Sequence, residues 1–105
     1  MKLPEKVRVY GLVWDIEVDE TALSDDGHYA HTAYKEQKIV MSERYPLSRT
    51  QVTLLHELTH VAGDLLEGDD RLTELQVGVI SAGLFNAIFC DNPDVLAFLG
   101  SSDGA

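Results

Sequence analysis

A single cysteine, Cys90, leaves this sequence no internal disulfide, which agrees with a reducing compartment, so the cytoplasm is the expected location. Long hydrophobic runs are missing too: the uninterrupted apolar stretches are a few residues each, far from the ~20 that cross a bilayer, and no membrane partner is expected. The opening Met1-Lys2-Leu3-Pro4-Glu5-Lys6 turns polar before an apolar region of signal length can form, which argues against a cleaved secretion signal. Positive charge is scarce and uneven. Residues 1–50 hold seven Lys/Arg against nine Asp/Glu, a balance of −2, whereas residues 51–105 hold only Arg71 against nine acids, a balance of −8. A surface of that sign repels phosphate backbones, because nucleic-acid affinity comes mostly from Lys and Arg displacing counterions, so direct nucleic-acid binding is not expected. The acidic half is open to three readings: a solvated face that keeps the protein soluble, a cation-attracting site, or a mimic of nucleic acid.

What is present fits one small globular domain. The chain has 105 residues and 11.6 kDa, 45% hydrophobic and 25% charged, which calls for a single core over residues 1–100 and a frayed tail at 101–105. No internal repeat, low-complexity tract or linker interrupts it. Residues 7–18, VRVYGLVWDIEV, read as one strand with a bulge near Gly11, where the alternation changes phase; Trp14, Ile16 and Val18 then share one face. Ser24-Asp25-Asp26-Gly27 is a turn signal, and His28–Tyr34 and Ile39–Ser42 read as two short strands, so the first forty-odd residues form a small antiparallel sheet. Ser48 then offers a helix N-cap, with Gln51 completing a capping box and Leu47 stapling onto Val52. The helix is expected from about Arg49 to Glu67, ended by Gly68. A second helix, capped by Asp69 or Asp70, runs to Asn92-Pro93 with Leu72, Leu75, Val79, Leu84 and Ile88 in the core, and residues 93–99 add a last helical turn or two. The fold class is α+β: a three-stranded antiparallel sheet packed on two long helices.

Within the first helix lies His56-Glu57-Leu58-Thr59-His60. Four residues advance a helix by about 400°, so both imidazoles project from one face, one turn apart, and can grip one ion. Glu57 points about 100° away from His56, too far round to ligate but placed to take a proton from a water on the metal. Zinc is the expected ion, since two imidazoles and a carboxylate with an open fourth position recur in catalytic zinc centres, and zinc brings its water's pKa to about 7. With four His and eight Glu in the chain, this spacing arises by chance roughly once in a hundred such sequences. The alternative reading, two ordinary helix histidines, needs no metal.

A third ligand must come from outside that helix face. The longer H-E-x-x-H-x-x-G-x-x-H pattern fails here, because Gly63 fits but Leu66 stands at the third histidine's place. Asp64, one turn past His60, would reach the same ion only with strain. Glu74, the only Glu in the second helix, is the better choice, since an antiparallel helix returns it towards His60; its other reading is an exposed acid favoured near a helix N-terminus. Gly78 and Ser81, farther along that helix, are small enough to let the two helices approach, or are packing accidents.

Taken together, a turn glycine and short sheet ending in KIVMS, then QVTLLHELTHVAG, an acidic turn and TELQVGVISAGLFNAIFCDNP resemble the small gluzincins, in particular the compact phage and prophage members related to the ImmA/IrrE-type metallopeptidases. The resemblance implies a three-stranded sheet on the H-E-x-x-H helix, zinc held by His56, His60 and Glu74, Glu57 as catalytic acid/base, and hydrolysis of a peptide or protein substrate. Unlike in the larger members, no added regulatory or DNA-binding domain is expected within these 105 residues. Tyr45, Tyr29, His31 and His28 are the available donors for an oxyanion, of which Tyr45 and His31 are the candidates retained. His28 and His31 differ by an odd number and face opposite sides of a regular strand. Ile39–Ser42 is either an exposed edge that aligns a peptide or a core strand. Trp14 and Cys90 are expected to be buried. Two non-enzymatic functions compete: an inactive zinc-stabilised fold, and an acidic protein-binding module that mimics nucleic acid. Oligomeric state is not legible in the sequence.

Overall fold

A computed structural model describes residues 2–20, 30–66 and 70–102. The fold is α+β. Strands β1 (Lys6–Val9), β2 (Leu12–Val18), β3 (Ala30–Ala33) and β4 (Lys38–Met41) form one mixed sheet in the order β1-β2-β4-β3. Helix α1 (Leu47–Gly63) follows, then α2 (Glu74–Leu84), a π-helical segment Phe85–Cys90 and a short α3 (Pro93–Leu99). Among the described residues no helix is long and apolar enough to cross a membrane.

The sheet corrects the expectation of three antiparallel strands. The segment expected as one bulged strand is a hairpin: Val9 pairs with Leu12, and Tyr10 and Gly11 turn the chain with φ of 51° and 81°. Positive φ at both loop residues is the geometry whose twist matches that of the strands it joins. Gly11 adopts it without strain, whereas Tyr10 carries a side chain that disfavours it. The phase change at Gly11 was therefore a turn and not a bulge. Strand β4 lies between β2, to which it is parallel, and β3, to which it is antiparallel. Ile39, Val40 and Met41 are all buried, the unbroken apolar run of a strand covered on both faces. Of the two readings of Ile39–Ser42, the core strand holds, and among the described residues the edge of the sheet beside it is β3.

Helix α1 packs Leu54, Leu58 and Val61 onto Trp14, Ile16, Ile39 and Met41, and this is the main core. Trp14 is buried as expected, while Val18 is exposed. The helix begins earlier than its sequence signals indicate. Pro46 is the N-cap with no side-chain cap bond, its carbonyl accepting from the Thr50 amide at 3.0 Å, so Ser48 falls inside the first turn and Gln51 beyond it. At the other end the helix stops at Gly63, where an added Cβ would stand 3.3 Å from Leu72 Cδ1. The expected stop at Glu67–Gly68 and the Asp69 cap lie outside the described residues.

Helix α2 is capped by Thr73 and not by Asp70. The Thr73 hydroxyl accepts from the Gln76 amide at 3.1 Å, and the Gln76 side chain accepts from the Thr73 amide at 2.8 Å, a complete capping box. Its buried residues are Val77 and Ser81, one turn apart and turned to α1. The expected core residues Leu75, Val79 and Leu84 are exposed, Leu72 and Ile88 are half-buried, and Cys90 is exposed where burial was expected. A side chain at Gly78 would meet nothing within 4 Å, so of the two small residues only Ser81 sits where close packing needs one.

Candidate metal centre

Three elements converge at one end of the α1–α2 pair. His56 and His60 project one turn apart from α1, with ring centroids 4.9 Å apart. Because the capping box starts α2 at Glu74, that carboxylate is the first helical residue and stands over both rings. Its Oε1 is 2.7 Å from His56 Nε2 and its Oε2 is 2.8 Å from His60 Nε2. Burial alone would raise the Glu74 carboxyl, but the hydrogen bond from His56 and the charge of His60 outweigh it and hold it below its ordinary 4.5. Three ligand atoms, one from each side chain, lie within 4.8 Å of one another, so the group can hold a metal ion. Two imidazoles and one carboxylate suit a borderline divalent ion and leave a coordination position for a water or a substrate. Asp64, the strained alternative, is engaged elsewhere, 3.6 Å from an Arg71 guanidinium nitrogen.

Glu57 is turned away from the ligand pair, as its position in the helix requires, and is 5% exposed. The Thr32 hydroxyl, on the neighbouring β3, donates to its Oε2 at 2.8 Å. Two hollows flank the cluster. One, about 340 Å³, lies against β3 and is lined by His31, Thr32, Glu57, His60 and Glu74; the other, about 240 Å³, lies between the helices and is lined by His60, Asp64, Arg71 and Glu74. Tyr34 borders both. Its ring stands edge-on to Trp14 at 6.1 Å, with the Arg71 guanidinium 6.0 Å from its centroid. Burial pushes the Tyr34 phenol above its ordinary value of 10.0, and the negative charges of Asp64, Glu57 and Glu74 push the same way, against Arg71. The phenol therefore keeps its proton at neutral pH and remains a hydrogen-bond donor.

Of the oxyanion candidates, His31 lines the β3-side hollow, while Tyr45 is not brought to the cluster. Tyr45 lines a separate hollow with Leu3, Pro4 and Leu54, and Arg49 stands 5.9 Å from its ring centroid. The chain leads from Tyr45 directly through Pro46 into the start of α1, nearly three helical turns before His56, and that separation is what keeps it from the site. His28 and Tyr29 lie outside the described residues. Sequence reasoning passed over Tyr34, Thr32 and Arg71. Tyr34 stood at the end of a segment read as strand, just before the polar Lys35-Glu36-Gln37-Lys38, and nothing local marks it; Arg71 carried the one visible signal, being the sole cation of the second half. No family model, curated protein or solved structure matches this chain.

Proposed function

We propose that the protein is a zinc-dependent peptidase of the gluzincin kind, with His56, His60 and Glu74 as ligands and Glu57 as general base and acid. The observation that carries the reading is Glu74, which reaches both imidazoles of the H-E-x-x-H helix from a separate element, at 2.7 and 2.8 Å. Zinc held there supplies a Lewis acid and lowers the pKa of a water to about 7. Glu57 takes a proton from the attacking water and delivers it to the leaving amine, a role that fits a carboxylate beside the ligands but not among them. Tyr34, protonated and bordering both hollows, is the donor for the carbonyl oxygen, with His31 as the second donor on the β3 side. The substrate is a peptide or protein segment in extended form. The outer side of β3, an edge of the sheet among the described residues, offers main-chain hydrogen bonds to such a segment, and the two hollows take side chains on either side of the cleaved bond.

Elemental analysis and peptide cleavage on the same preparations test this. Wild type is expected to hold one zinc and cleave an internally quenched random peptide mixture; Glu57→Gln keeps the zinc and loses cleavage by at least about 100-fold, and His56→Ala loses both. Full zinc with no cleavage in wild type would leave a zinc-stabilised fold. Equal zinc in wild type and His56→Ala would end both metal readings and leave the acidic binding module.

A further inference from the structure

We propose that Thr32 is a positioning residue for Glu57, its hydroxyl holding the buried carboxylate so that Oε1 is the oxygen left for proton transfer. The proposal rests on the peptidase reading above. Among the described residues Thr32 is the one hydrogen-bond donor to that carboxylate, at 2.8 Å on Oε2. A glutamate has three side-chain torsions, and one 5% exposed has little water to hold it in place, so without the hydroxyl its carboxylate is free to turn.

Thr32 is itself rigid. It is β-branched, which restricts χ1, and its backbone is paired in register with Ile39, which is fully buried. A slip of β3 by one residue would turn the hydroxyl to the opposite face of the sheet, and that register is held through β4 by the core. The orientation of the base on α1 is thereby set by a strand that shares no covalent neighbourhood with it. Because β3 is an edge of the sheet among the described residues, the strand that would align a substrate is the one that aims the base. Misaiming a reacting group by about 1 Å costs on the order of 100-fold in rate.

The test uses Thr32→Val, which keeps the shape and removes the donor, and Thr32→Ser, which keeps the donor. Thr32→Ala replaces the valine variant if the latter does not fold. A single peptide found by cleavage of a random mixture provides kcat and KM on zinc-loaded protein, and crystal structures of each variant provide the Glu57 rotamer. Thr32→Val is expected to lower kcat by about 10- to 100-fold with KM within about twofold and zinc content unchanged, and to spread the Glu57 carboxylate over more than one rotamer. Thr32→Ser is expected to restore most of kcat and the single rotamer. Unchanged kcat in Thr32→Val, an unmoved Glu57, or equal losses in the valine and serine variants would overturn the proposal while leaving the peptidase reading intact. No cleavage of any peptide by zinc-loaded wild type would overturn that reading and the role of Thr32 with it.

Discussion

At the scale of single residues, the site is built from side chains whose partners lie far away in the chain. Glu74 is 73% exposed on its side chain, yet it lies within hydrogen-bond distance of two imidazoles; a pair so exposed adds little stability, and the three side chains together can hold a metal ion. Acid stability is set in part by a different carboxylate, Glu20. Ser42 and the Glu43 amide hydrogen-bond it, the latter at 2.8 Å, and with Arg44 they hold it below its ordinary 4.5, against burial and Asp19. A carboxyl depressed in the folded state contributes stability above its unfolded value, and that contribution disappears as pH falls through the folded one. Glu20→Gln is therefore expected to cost under about 1 kcal/mol near pH 7 and nothing at pH values below the folded-state titration, as read from urea unfolding at a series of pH values.

At the scale of elements, the two helix starts make opposite predictions from similar sequence signals. Ser48-x-x-Gln51 and Thr73-x-x-Gln76 have the same capping pattern, but only Thr73 and Gln76 make the reciprocal bonds. The Tyr45-Pro46 entry starts α1 two residues too early for Ser48 to cap it. Thr73→Ala is expected to cost about 1 kcal/mol and Ser48→Ala within about 0.5 kcal/mol, measured by chemical denaturation of the metal-free protein. The first cost also reaches the site, since the box fixes where α2 begins and thus where Glu74 stands. The hairpin illustrates the same competition: Tyr10 is a strand former, and its own preference hid a turn that pairing of Val9 with Leu12 imposes.

At the scale of the molecule, the core is concentrated between the sheet and α1. Ile39, Met41, Trp14 and Val61 are buried there, while Leu75, Val79, Leu84, Phe89 and Phe98 on the later helices are exposed. Deleting side-chain volume should matter on one side and not the other. Ile39→Ala is expected to cost about 2–5 kcal/mol, and Phe98→Ala, from a residue 77% exposed, less than about 0.5 kcal/mol, both by equilibrium denaturation. Equal costs would mean that α3 is packed in solution against something more than the π-helical segment.

Local information was enough for the histidine pair. The His56–His60 spacing on a helix depends only on helical geometry, so the sequence alone determined that two imidazoles share a face and that Glu57 does not. The α+β class, the buried Trp14 and the helix at residues 93–99 were likewise legible, because period and composition speak for elements one at a time. What only the tertiary structure decided is everything that depends on which elements lie side by side: β4 inserted between β2 and β3, Val77 and Ser81 rather than Leu75 and Val79 facing α1, Tyr45 kept apart, and Thr32 and Tyr34 brought in. Glu74 stands between the two cases, chosen in the sequence from a short list of acids and placed by a capping box. The physical reason is common to all of them: periodicity specifies the face a side chain occupies on its own element, whereas the neighbour it meets is decided by how those faces bury apolar surface together.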